Sequence, residues 1–582
     1  MTAPRDLLTS WSEALAEEIV AAGVRHAVVS PGSRSTPFVA SALAAGLQCD
    51  SVIDERAAGF FALGLVRATR RPVLLLCTSG TAPAHYLPAV LEAAQSELPL
   101  LVLSADRPLE LMDCDAPQTI QQMNLFGEHV RGFFELGEPV EGASAVEAMS
   151  RRVALAVHRS RWPLPGPVHL NARAKKPLEP QEVTTQTRRA RGRVRYGTPT
   201  AAPDPEQVRE LARLLRRAER PLVTAGSGLS VRAAGAVASL VQTVNAVLAA
   251  EAASGARTLD LGASLSHFPL ILESPRADSE LAPDLVVQLG RAPIARRWPE
   301  RLASWCEAGA RHVVLTSSVP SDVAHTASEV VVGDVVLTMA ELEAEAATED
   351  GEVRSEWREA WASADERVRR LTETEHRAEP GSEAALARRL VDALGAYDAS
   401  VLSLSNSLPV RLVDHQAGLL PAGMRVLSQR GVSGIDGLIA GLAGFVAGAP
   451  PLPTALLLGD VALLHDLGSL SLLSGIDDRP VVVAVLNNQG GRIFEQLPIA
   501  KVTSEEELAF WTTPHQVSFR SAAAHAGLDY VVVEAGEAAG EAFELALGKP
   551  GVSLVELRVP PQGAAAQQAR LVGEIAALEG LS

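Results

Sequence analysis

The sequence predicts an α/β protein of three domains, each with a parallel sheet flanked by helices. Short apolar runs alternate with longer amphipathic stretches along most of the chain, which is typical of strands buried on both faces and joined by helices. At 582 residues the chain is also too long for one hydrophobic core. Gly, Ser, Arg and acidic residues gather directly after the apolar runs, where ligands bind in open parallel sheets.

The N-terminal domain is predicted over residues 1–180. A helix is expected around residues 7–22, and the strands after it are HAVVS, SVID, VLLLCTS and LLVLSAD, separated by helical patterns. The alternation ends near PVHLNAR. The basic, Pro-rich stretch that comes next has no sustained apolar periodicity, which indicates a linker over residues 181–204.

Two further α/β domains are predicted, over residues 205–345 and 381–582. The central domain contains the runs PLVTAGSG, DLVVQLG, RHVVLTSS and EVVVG, and an acid-rich helical connection follows it over residues 346–380. The C-terminal domain contains VLSLSNS, RVLSQRG, TALLLGD, PVVVAVLNN and SLVELRV. The first and third domains share the same alternation and could be related.

Composition narrows the classes of partner and compartment. The net charge of −17 would repel a nucleic-acid backbone, so an anionic substrate must be held by locally placed arginines. Four cysteines without a CxxC pair indicate neither a zinc site nor a disulfide framework, and they favour a reducing, cytoplasmic location. No bilayer-spanning segment and no membrane association are expected.

A candidate metal site lies at the ends of two neighbouring strands of the C-terminal domain. Gly459 and Asp460 end the run TALLLGD, while Asn488 ends PVVVAVLNN and is followed by Gly490. Adjacent parallel strands bring both ends to one edge, so the Asp460 carboxylate, the Asn488 amide oxygen and the Gly490 carbonyl could bind one hard cation such as Mg²⁺. The structural alternative is an aspartate that caps a helix beside an Asn-Asn turn.

These residues resemble, in order and spacing, the GD…NN motif of the thiamine-diphosphate (ThDP) enzyme superfamily, except that Val461 stands where Gly or Ala is usual. The resemblance implies a pyrimidine-binding, a central and a diphosphate-binding domain, with ThDP and Mg²⁺ (or Mn²⁺) as cofactors. It also implies a homodimer or homotetramer, because sites of this superfamily form between the first domain of one subunit and the last domain of another.

The resemblance assigns the catalytic role to a glutamate after the second predicted strand. Superfamily members place a glutamate there against the pyrimidine ring, where it shares a proton with a ring nitrogen, and Glu55 in SVIDERAAG occupies that place. A glutamate that complements the dipole of a helix N-terminus is the structural alternative.

The loops resemble one family of that superfamily more closely. The strings SPGSRSTP, DERAAGFFALGL, TSGTA, SADRPLEL, NSLPVRLVD, QRGVSGIDG, LGDVALLHDLGSL and NNQGGRIFEQLP match the 2-succinyl-5-enolpyruvyl-6-hydroxy-3-cyclohexene-1-carboxylate synthase family of menaquinone biosynthesis over nearly the whole chain. Members of that family are transferases that decarboxylate 2-oxoglutarate on ThDP and add the resulting succinyl unit to isochorismate. Both substrates are polyanions, which guanidinium groups bind at any working pH.

The same resemblance implies a set of site residues. The expected cofactor contacts are Glu55, Thr78, Ser79, Gly80, Ile435, Gly459, Asp460, Asn488, Gly490, Ile493 and Phe494. The expected substrate contacts are Ser33, Arg34, Arg107, Gln118, Arg296, Ser407, Arg411, Arg430, Phe494 and Leu497, with Asp106 orienting Arg107. Any one of these arginines alone could be a surface charge, and the apolar members could be ordinary core residues.

Two other functions stay open on the sequence. Another 2-oxoacid ThDP carboligase, such as an acetolactate synthase relative, would use a smaller oxoacid and have little need of four arginines in strand-end loops. A catalytically silent binding or scaffold protein could keep the fold, but Glu55, Asp460 and Asn488 are all present, which argues against it.

Overall fold

The computed structural model describes residues 7–180, 193–262, 264–346, 355–534 and 538–581. Its strands form three six-stranded sheets flanked by helices, and the strand pairs of each sheet are parallel. The predicted fold class is therefore confirmed. Residues 181–192 of the predicted linker and 347–354 of the predicted helical connection lie outside the described residues.

The N-terminal sheet has the strand order β2-β1-β3-β4-β6-β5. Its strands are β1 (His26–Ser30), β2 (Gln48–Ser51), β3 (Val73–Cys77), β4 (Leu100–Asp106), β5 (Phe133–Gly137) and β6 (Pro167–Arg173). The helices are α1 (Leu7–Ala21), α2 (Thr36–Ala44), α3 (Glu55–Thr69), α4 (Ala82–His85), α5 (Leu87–Gln95) and α6 (Ala143–Arg159). Strands β3, β4 and β6 are buried along their whole length, as continuous apolar runs in a parallel sheet require.

The second strand was predicted at SVID, but it covers Gln48–Ser51. The backbone leaves the sheet before Ile53, whose side chain is 96% exposed. The Asp54 carboxylate then accepts a hydrogen bond from the backbone N–H of Arg56 at 2.9 Å, which caps the N-terminus of α3. The strand therefore ends before the apolar pattern predicts, because the backbone turns there to begin the capped helix α3.

The central sheet has the order β12-β11-β10-β7-β8-β9. Its strands are β7 (Pro221–Ala225), β8 (Val247–Ala250), β9 (Ser264–Leu265), β10 (Leu285–Leu289), β11 (Arg311–Thr316) and β12 (Glu329–Val332). The helices are α7 (Pro205–Arg217), α8 (Val231–Thr243), α9 (Phe268–Ile271), α10 (Ala277–Glu280), α11 (Trp298–Glu307) and α12 (Val335–Ala346), followed by α13 (Ser355–Ala378). The order reverses between β7 and β10, as in doubly wound sheets.

The C-terminal sheet has the order β14-β13-β15-β16-β18-β17, which repeats that of the N-terminal sheet strand for strand. Its strands are β13 (Ser400–Leu404), β14 (Met424–Ser428), β15 (Thr454–Gly459), β16 (Pro480–Asn487), β17 (Asp529–Glu534) and β18 (Gly551–Arg558). The helices are α14 (Glu383–Gly395), α15 (Leu408–Gln416), α16 (Leu438–Gly448), α17 (Asp460–His465), α18 (Glu505–Thr512), α19 (Arg520–His525), α20 (Ala538–Leu547) and α21 (Gly563–Ala577).

Contacts divide the chain into two compact units. The first comprises the described parts of Met1–Pro199, Gln429–Pro451 and Asp466–Leu473, and the second those of Thr200–Ser428, Leu452–His465 and Ser474–Ser582. Within the first unit, α16 packs closely on α3. A Cβ atom on Gly64 would lie 2.1 Å from the carbonyl oxygen of Gly441, so this crossing requires glycine. The N-terminal unit therefore includes a helix from the predicted C-terminal domain.

Candidate active site

Arg34 and Arg107 lie at the carboxyl edge of the N-terminal sheet. Arg34 follows β1 and Arg107 follows β4, and only β3 separates these strands. The buried Arg34 side chain donates a hydrogen bond from Nη1 to the carbonyl oxygen of Ala174 at 2.6 Å, while its Nε atom is buried without a hydrogen-bond partner among the described residues. Burial, assisted by the charge of Arg107, lowers the pKa of Arg34. Two guanidinium groups at one edge favour an anionic ligand.

Ser79, Gly80 and Gln118 meet at the same edge. Ser79 Oγ donates to the Gln118 carbonyl oxygen at 3.1 Å, and Gln118 Nε2 donates to the Ser79 carbonyl oxygen at 3.0 Å. Gly80 has a φ of +88°, and a Cβ atom there would lie 2.7 Å from Cγ of Gln118, so glycine permits this approach. Arg107 Nη2 donates to the Pro117 carbonyl oxygen at 2.9 Å. Four predicted contacts are therefore brought together.

The loop after β1 crosses the end of β3. A Cβ atom on Gly32 would lie 2.6 Å from Cβ of Thr78, so the backbone beside Ser33 passes directly over Thr78. Ser33 is exposed, and Thr78 is buried without a hydrogen-bond partner for its hydroxyl oxygen in the described part of the chain. A buried hydroxyl without a partner indicates that a ligand could supply one.

Asp106 holds the backbone of Arg107. Its Oδ1 atom accepts a hydrogen bond from the backbone N–H of Arg107 at 2.7 Å, and its Oδ2 atom accepts one from Nδ2 of Asn171 at 2.9 Å. Its ion pair is with Arg173, at 3.2 Å. Asp106 therefore fixes the turn from which Arg107 projects, through the main chain.

Glu55 is the first residue of α3. Its side chain is half-buried, and its charge acts on two buried groups of the N-terminal unit. Burial first, and the Glu55 charge in addition, raise the pKa of the Cys77 thiol and of the Tyr86 hydroxyl. Because Cys77 ends β3, Glu55 lies near the edge that carries Thr78.

Arg430 and Ile435 lie on a loop that a buried glutamate holds. Glu92 of α5, which is 1% exposed, accepts hydrogen bonds from the backbone N–H groups of Gly431 at 3.1 Å and Val432 at 2.9 Å. It also pairs with Arg67 at 3.1 Å. Sequence reasoning missed Glu92, although a charged residue in the apolar helix LPAVLEAAQ is a signal of such a role.

The Glu92-held loop ends close to α3. Gly437 has a φ of +63°, and a Cβ atom there would lie 1.9 Å from Cγ of Phe60. Asp466, which is fully buried, accepts hydrogen bonds from the backbone N–H groups of Ile439 at 2.8 Å and Ala440 at 3.2 Å. Asp466 thus caps α16 and fixes the loop that carries Ile435.

Asp460 and Asn488 lie at the ends of adjacent strands of the C-terminal sheet, as predicted. Both are buried, at 1% and 5% exposed. The Asp460 carboxylate accepts hydrogen bonds from the backbone N–H of Val461 at 2.7 Å and from that of Gly490 at 2.9 Å. Asn488 Oδ1 is buried and has no hydrogen-bond partner among the described residues. A buried amide oxygen without a partner beside a buried carboxylate fits a divalent cation.

Gly490 is held tightly under α18. Its φ is +151°, and a Cβ atom there would lie 2.5 Å from the carbonyl oxygen of Thr512. The Gly491 N–H donates to that same oxygen at 2.7 Å, and Arg492 Nε donates to the Asn488 carbonyl oxygen at 3.2 Å. Apart from its chain neighbours, the described residues place no atom within 4 Å of a Cβ built on Gly459, which precedes Asp460. The turn after β16 is therefore fixed by its own backbone contacts.

Two residues beside Asp460 and Asn488 were not predicted. Asn488 Nδ2 donates a hydrogen bond to Oε1 of Glu383 at 2.9 Å, and Nε2 of His515 lies 3.2 Å from Oδ2 of Asp460. Burial is the main cause that raises the pKa of Glu383 to about 7, and burial also raises the pKa of Asp460. Glu383 has the pattern of a helix N-terminal residue and His515 lies in a loop, so no sequence motif marks either of them as a site residue.

Arg411 and Arg296 lie in the second unit. Ser407, with a φ of +70°, precedes α15, and Arg411 Nη1 donates to its carbonyl oxygen at 2.6 Å. Burial first, and then the charges of Arg411, Arg257 and Arg296, lower the pKa of His415 to about 3. Arg296 is 65% exposed and pairs with Glu273 at 2.7 Å.

The predicted apolar contacts lie in the segment after Gly490. Ile493 and Phe494 belong to a short 3-10 turn over Arg492–Gln496 and are half-buried, and Leu497 is 39% exposed. Ile493 also packs against the core of the C-terminal sheet. Phe494 and Leu497 therefore remain accessible in part.

The described ranges contain neither a cluster of acidic, histidine and cysteine side chains suited to a metal ion nor a membrane-spanning helix. No group of three or more His, Cys, Asp or Glu side chains there is arranged to hold a metal ion, so a cation at Asp460 must draw on amide and backbone oxygens. In the same ranges, no helix has both the length and the apolar character needed to cross a membrane.

Known proteins resemble this chain over its full length. Residues 9–125 match the family model described as thiamine pyrophosphate enzyme, N-terminal TPP binding domain. A curated relative from Sorangium cellulosum, named 2-succinyl-5-enolpyruvyl-6-hydroxy-3-cyclohexene-1-carboxylate synthase, is 40% identical over 98% of this chain and 96% of the relative. A relative of the same name from Myxococcus xanthus is 37% identical over 100% of this chain and 99% of the relative.

A solved structure shares the fold. The structure of benzoylformate decarboxylase from Polynucleobacter necessarius matches with a TM-score of 0.73 at 17% identity, over 95% of this chain and 99% of that one. The full-length relatives favour the synthase over an acetolactate synthase relative or a silent scaffold. On that sequence identity, the chain belongs to the 2-succinyl-5-enolpyruvyl-6-hydroxy-3-cyclohexene-1-carboxylate synthase family.

Proposed function

We propose that this enzyme decarboxylates 2-oxoglutarate with ThDP and transfers the succinyl unit to isochorismate, as a step of menaquinone biosynthesis. The observation that carries the proposal is the meeting of Arg34, Arg107, Ser79 and Gln118 at one sheet edge, in a chain whose full-length relatives have this synthase's name. Two guanidinium groups suit a substrate with several carboxylates. A small monocarboxylate would leave one of them without a partner.

Asp460, Asn488 and Gly490 fit the metal of such a cofactor. The unpartnered amide oxygen of Asn488 and the buried Asp460 carboxylate supply two hard oxygen donors, and the Gly490 carbonyl would be the third. Mg²⁺ is the cation we propose, with Mn²⁺ as an alternative that takes the same oxygen ligands. Gly459 leaves open space beside Asp460, which suits a diphosphate.

Other residues would hold the organic part of ThDP. When bound, ThDP supplies a nucleophilic carbon and takes up the electron pair released by decarboxylation. Glu55 would hold a proton at the pyrimidine ring nitrogen, and Thr78, Ser79 and Gly80, which directly follow β3, would be further contacts. Ile435, Ile493 and Phe494 would provide apolar contacts and exclude water.

The substrate carboxylates and hydroxyls would bind to polar groups that follow strands of all three sheets. We assign this role to Ser33, Arg34, Arg107, Gln118, Arg296, Ser407, Arg411 and Arg430, with Phe494 and Leu497 as apolar contacts. For Arg296 the role requires that a substrate carboxylate compete with Glu273, its present partner at 2.7 Å. Arg411 is better prepared, because its bond to the Ser407 carbonyl fixes the side chain.

The test is turnover of isochorismate. Purified protein with ThDP, Mg²⁺, 2-oxoglutarate and isochorismate should show loss of isochorismate absorbance in the ultraviolet, together with release of CO₂. Pyruvate in place of 2-oxoglutarate is the matched control and should support far less turnover. No loss with 2-oxoglutarate, or equal rates with pyruvate, would contradict the assignment and favour a carboligase for smaller oxoacids.

We further propose that the active form is a homodimer or a homotetramer in the cytoplasm. Apolar side chains are exposed between residues 502 and 511, including Phe510 at 85% and Val502 at 78%. Exposed apolar side chains of this size favour burial against another chain. Sedimentation equilibrium would report a dimer or tetramer mass, and a monomer at micromolar concentration would refute the proposal.

A further inference from the structure

Two consecutive asparagines at the end of β16 are each bound to a buried glutamate. Asn487 Nδ2 donates to Oε1 of Glu556 at 2.8 Å, and Asn488 Nδ2 donates to Oε1 of Glu383 at 2.9 Å. Both glutamates are nearly inaccessible, at 1% and 3% exposed. The two pairs are alike in donor, acceptor and burial, so they can be compared directly.

The free ends of the two amides differ. Asn487 Oδ1 accepts a hydrogen bond from the backbone N–H of Gln489 at 3.2 Å. Asn488 Oδ1 is buried and has no hydrogen-bond partner among the described residues. In each pair the amide nitrogen donates to a carboxylate oxygen, so the glutamate fixes which end of the amide is nitrogen. The oxygen of Asn488 must then point away from Glu383.

Glu383 is itself held rigidly. It is the first residue of α14, and the preceding Ser382 caps that helix by accepting a hydrogen bond from the backbone N–H of Ala385. Gln567 Nε2 donates to the same Ser382 hydroxyl at 3.0 Å. The second carboxylate oxygen of Glu383 is buried and has no hydrogen-bond partner in the described ranges. An acid buried at this cost is not explained by packing alone.

We propose that Glu383 is a positioning residue of the metal site, which holds the Asn488 amide so that its oxygen faces the cation. The inference rests on the metal of the proposed function, but it concerns a residue that contacts neither the cation nor the substrates. Hydrogen bonds of this kind orient metal ligands, and their loss typically weakens metal binding by about 10- to 100-fold. Glu556, which binds the asparagine that is not a ligand, should have no such effect.

The test measures Mg²⁺ dependence of ThDP binding by equilibrium dialysis, without substrates. For Glu383→Ala, the Mg²⁺ concentration at half-saturation should rise by about 10- to 100-fold. Glu383→Gln keeps an acceptor oxygen at the same reach and should restore most of the affinity. Glu556→Ala, the matched control, removes the acceptor of the other pair and should leave half-saturation unchanged. The melting temperature of each variant without cofactor separates this effect from unfolding.

Each outcome has one meaning. Half-saturation at the wild-type concentration in folded Glu383→Ala would overturn the positioning role, and so would an equal rise in folded Glu556→Ala. If Glu383→Ala does not fold, Glu383→Gln decides: half-saturation near the wild-type Mg²⁺ concentration supports the role, and a rise as large as that expected for alanine contradicts it. If wild-type protein binds ThDP without any Mg²⁺ dependence, the metal site of the proposed function fails instead.

Discussion

The first and third sheets have the same strand order, but the charged groups at two strand ends of one differ in sign from those at two strand ends of the other. At the ends of β1 and β4, the N-terminal sheet presents Arg34 and Arg107. At the ends of β15 and β16, the C-terminal sheet presents Asp460 and Asn488, backed by the buried Glu383. The ends of β1 and β4 are therefore suited to an anion, and the ends of β15 and β16 to a cation.

The topology of a sheet fixes where a site lies, and the side chains at that place determine which ligand it binds. Parallel strands place the residues that follow them at one edge whatever those residues are. In the N-terminal sheet the edge residues are fixed by bonds to backbone carbonyls, such as those of Ala174 and Pro117. In the C-terminal sheet the carboxylate of Asp460 is fixed by backbone N–H groups.

The largest effect is expected at the proposed cation-binding site, at Asp460. Loss of a residue that only orients a metal ligand weakens metal binding by up to about 100-fold. Asp460→Ala removes a carboxylate that would bind the metal directly, so Mg²⁺-dependent binding of ThDP should weaken by more than that. Equilibrium dialysis at several Mg²⁺ concentrations would measure it. Asp478→Ala, which removes a half-exposed aspartate paired with Arg479, is the control. Unaltered Mg²⁺ dependence in Asp460→Ala would show that the cation binds elsewhere.

A smaller effect is expected at the edge of the N-terminal sheet, where Arg34 and Arg107 would bind an anion. Arg107→Lys keeps the charge but loses the forked donor, and charged hydrogen bonds are worth about 1.5–3 kcal/mol. We therefore expect kcat/KM to fall by roughly 10- to 150-fold, mainly through KM for one carboxylate substrate. Steady-state kinetics with each substrate varied would identify which. Arg151→Lys, on the exposed face of α6, should match wild type, and equal kinetics in both variants would remove Arg107 from the site.

The last expected effect is on stability and concerns the pH dependence that a buried histidine of β6 contributes. His169 Nε2 lies 2.7 Å from Oγ of Ser104, and burial lowers the pKa of His169 to about 3. An unfolded histidine has a pKa of about 6.5, so between these values only the unfolded chain binds the proton. Stability should therefore fall as pH falls through this window, by on the order of 2 kcal/mol between pH 7 and 5 from this residue.

The variant His169→Gln tests that sign. Its melting temperature should drop less than that of wild type when the pH is lowered from 7 to 5, as followed by circular dichroism. His129→Gln, at an exposed position, should behave as wild type. An acid sensitivity in His169→Gln equal to that of wild type would refute the role of the buried imidazole.

Much of the fold could be predicted because buried parallel strands are apolar along their length. The strand β4 was predicted at its observed bounds for this reason, since all its residues are buried. Strands β5, β8, β9 and β17 were missed. Of these, β5, β9 and β17 lie at sheet edges, and β5 and β17 are largely half-buried, so their apolar pattern is weaker.

The candidate site could be predicted only where its residues directly follow strands. Asp460 and Asn488 were found in this way. Glu383 could not be, because it is 105 residues from Asn488 along the chain and the contact exists only in the folded state. Glu92 is 339 residues from Gly431, which it holds. Residues that support a site through long-range hydrogen bonds leave no local pattern.

We propose that Glu55 carries the proton chemistry at the N-terminal sheet and that Asp460 anchors the cofactor at the C-terminal sheet. The most direct test measures turnover and ThDP binding together in Glu55→Gln, which keeps the side-chain shape but cannot hold the proton. Turnover of 2-oxoglutarate with isochorismate should fall by about 10²- to 10⁴-fold, while Mg²⁺-dependent ThDP binding weakens only modestly. Turnover at the wild-type rate, or a loss of binding as large as that of Asp460→Ala, would contradict the account.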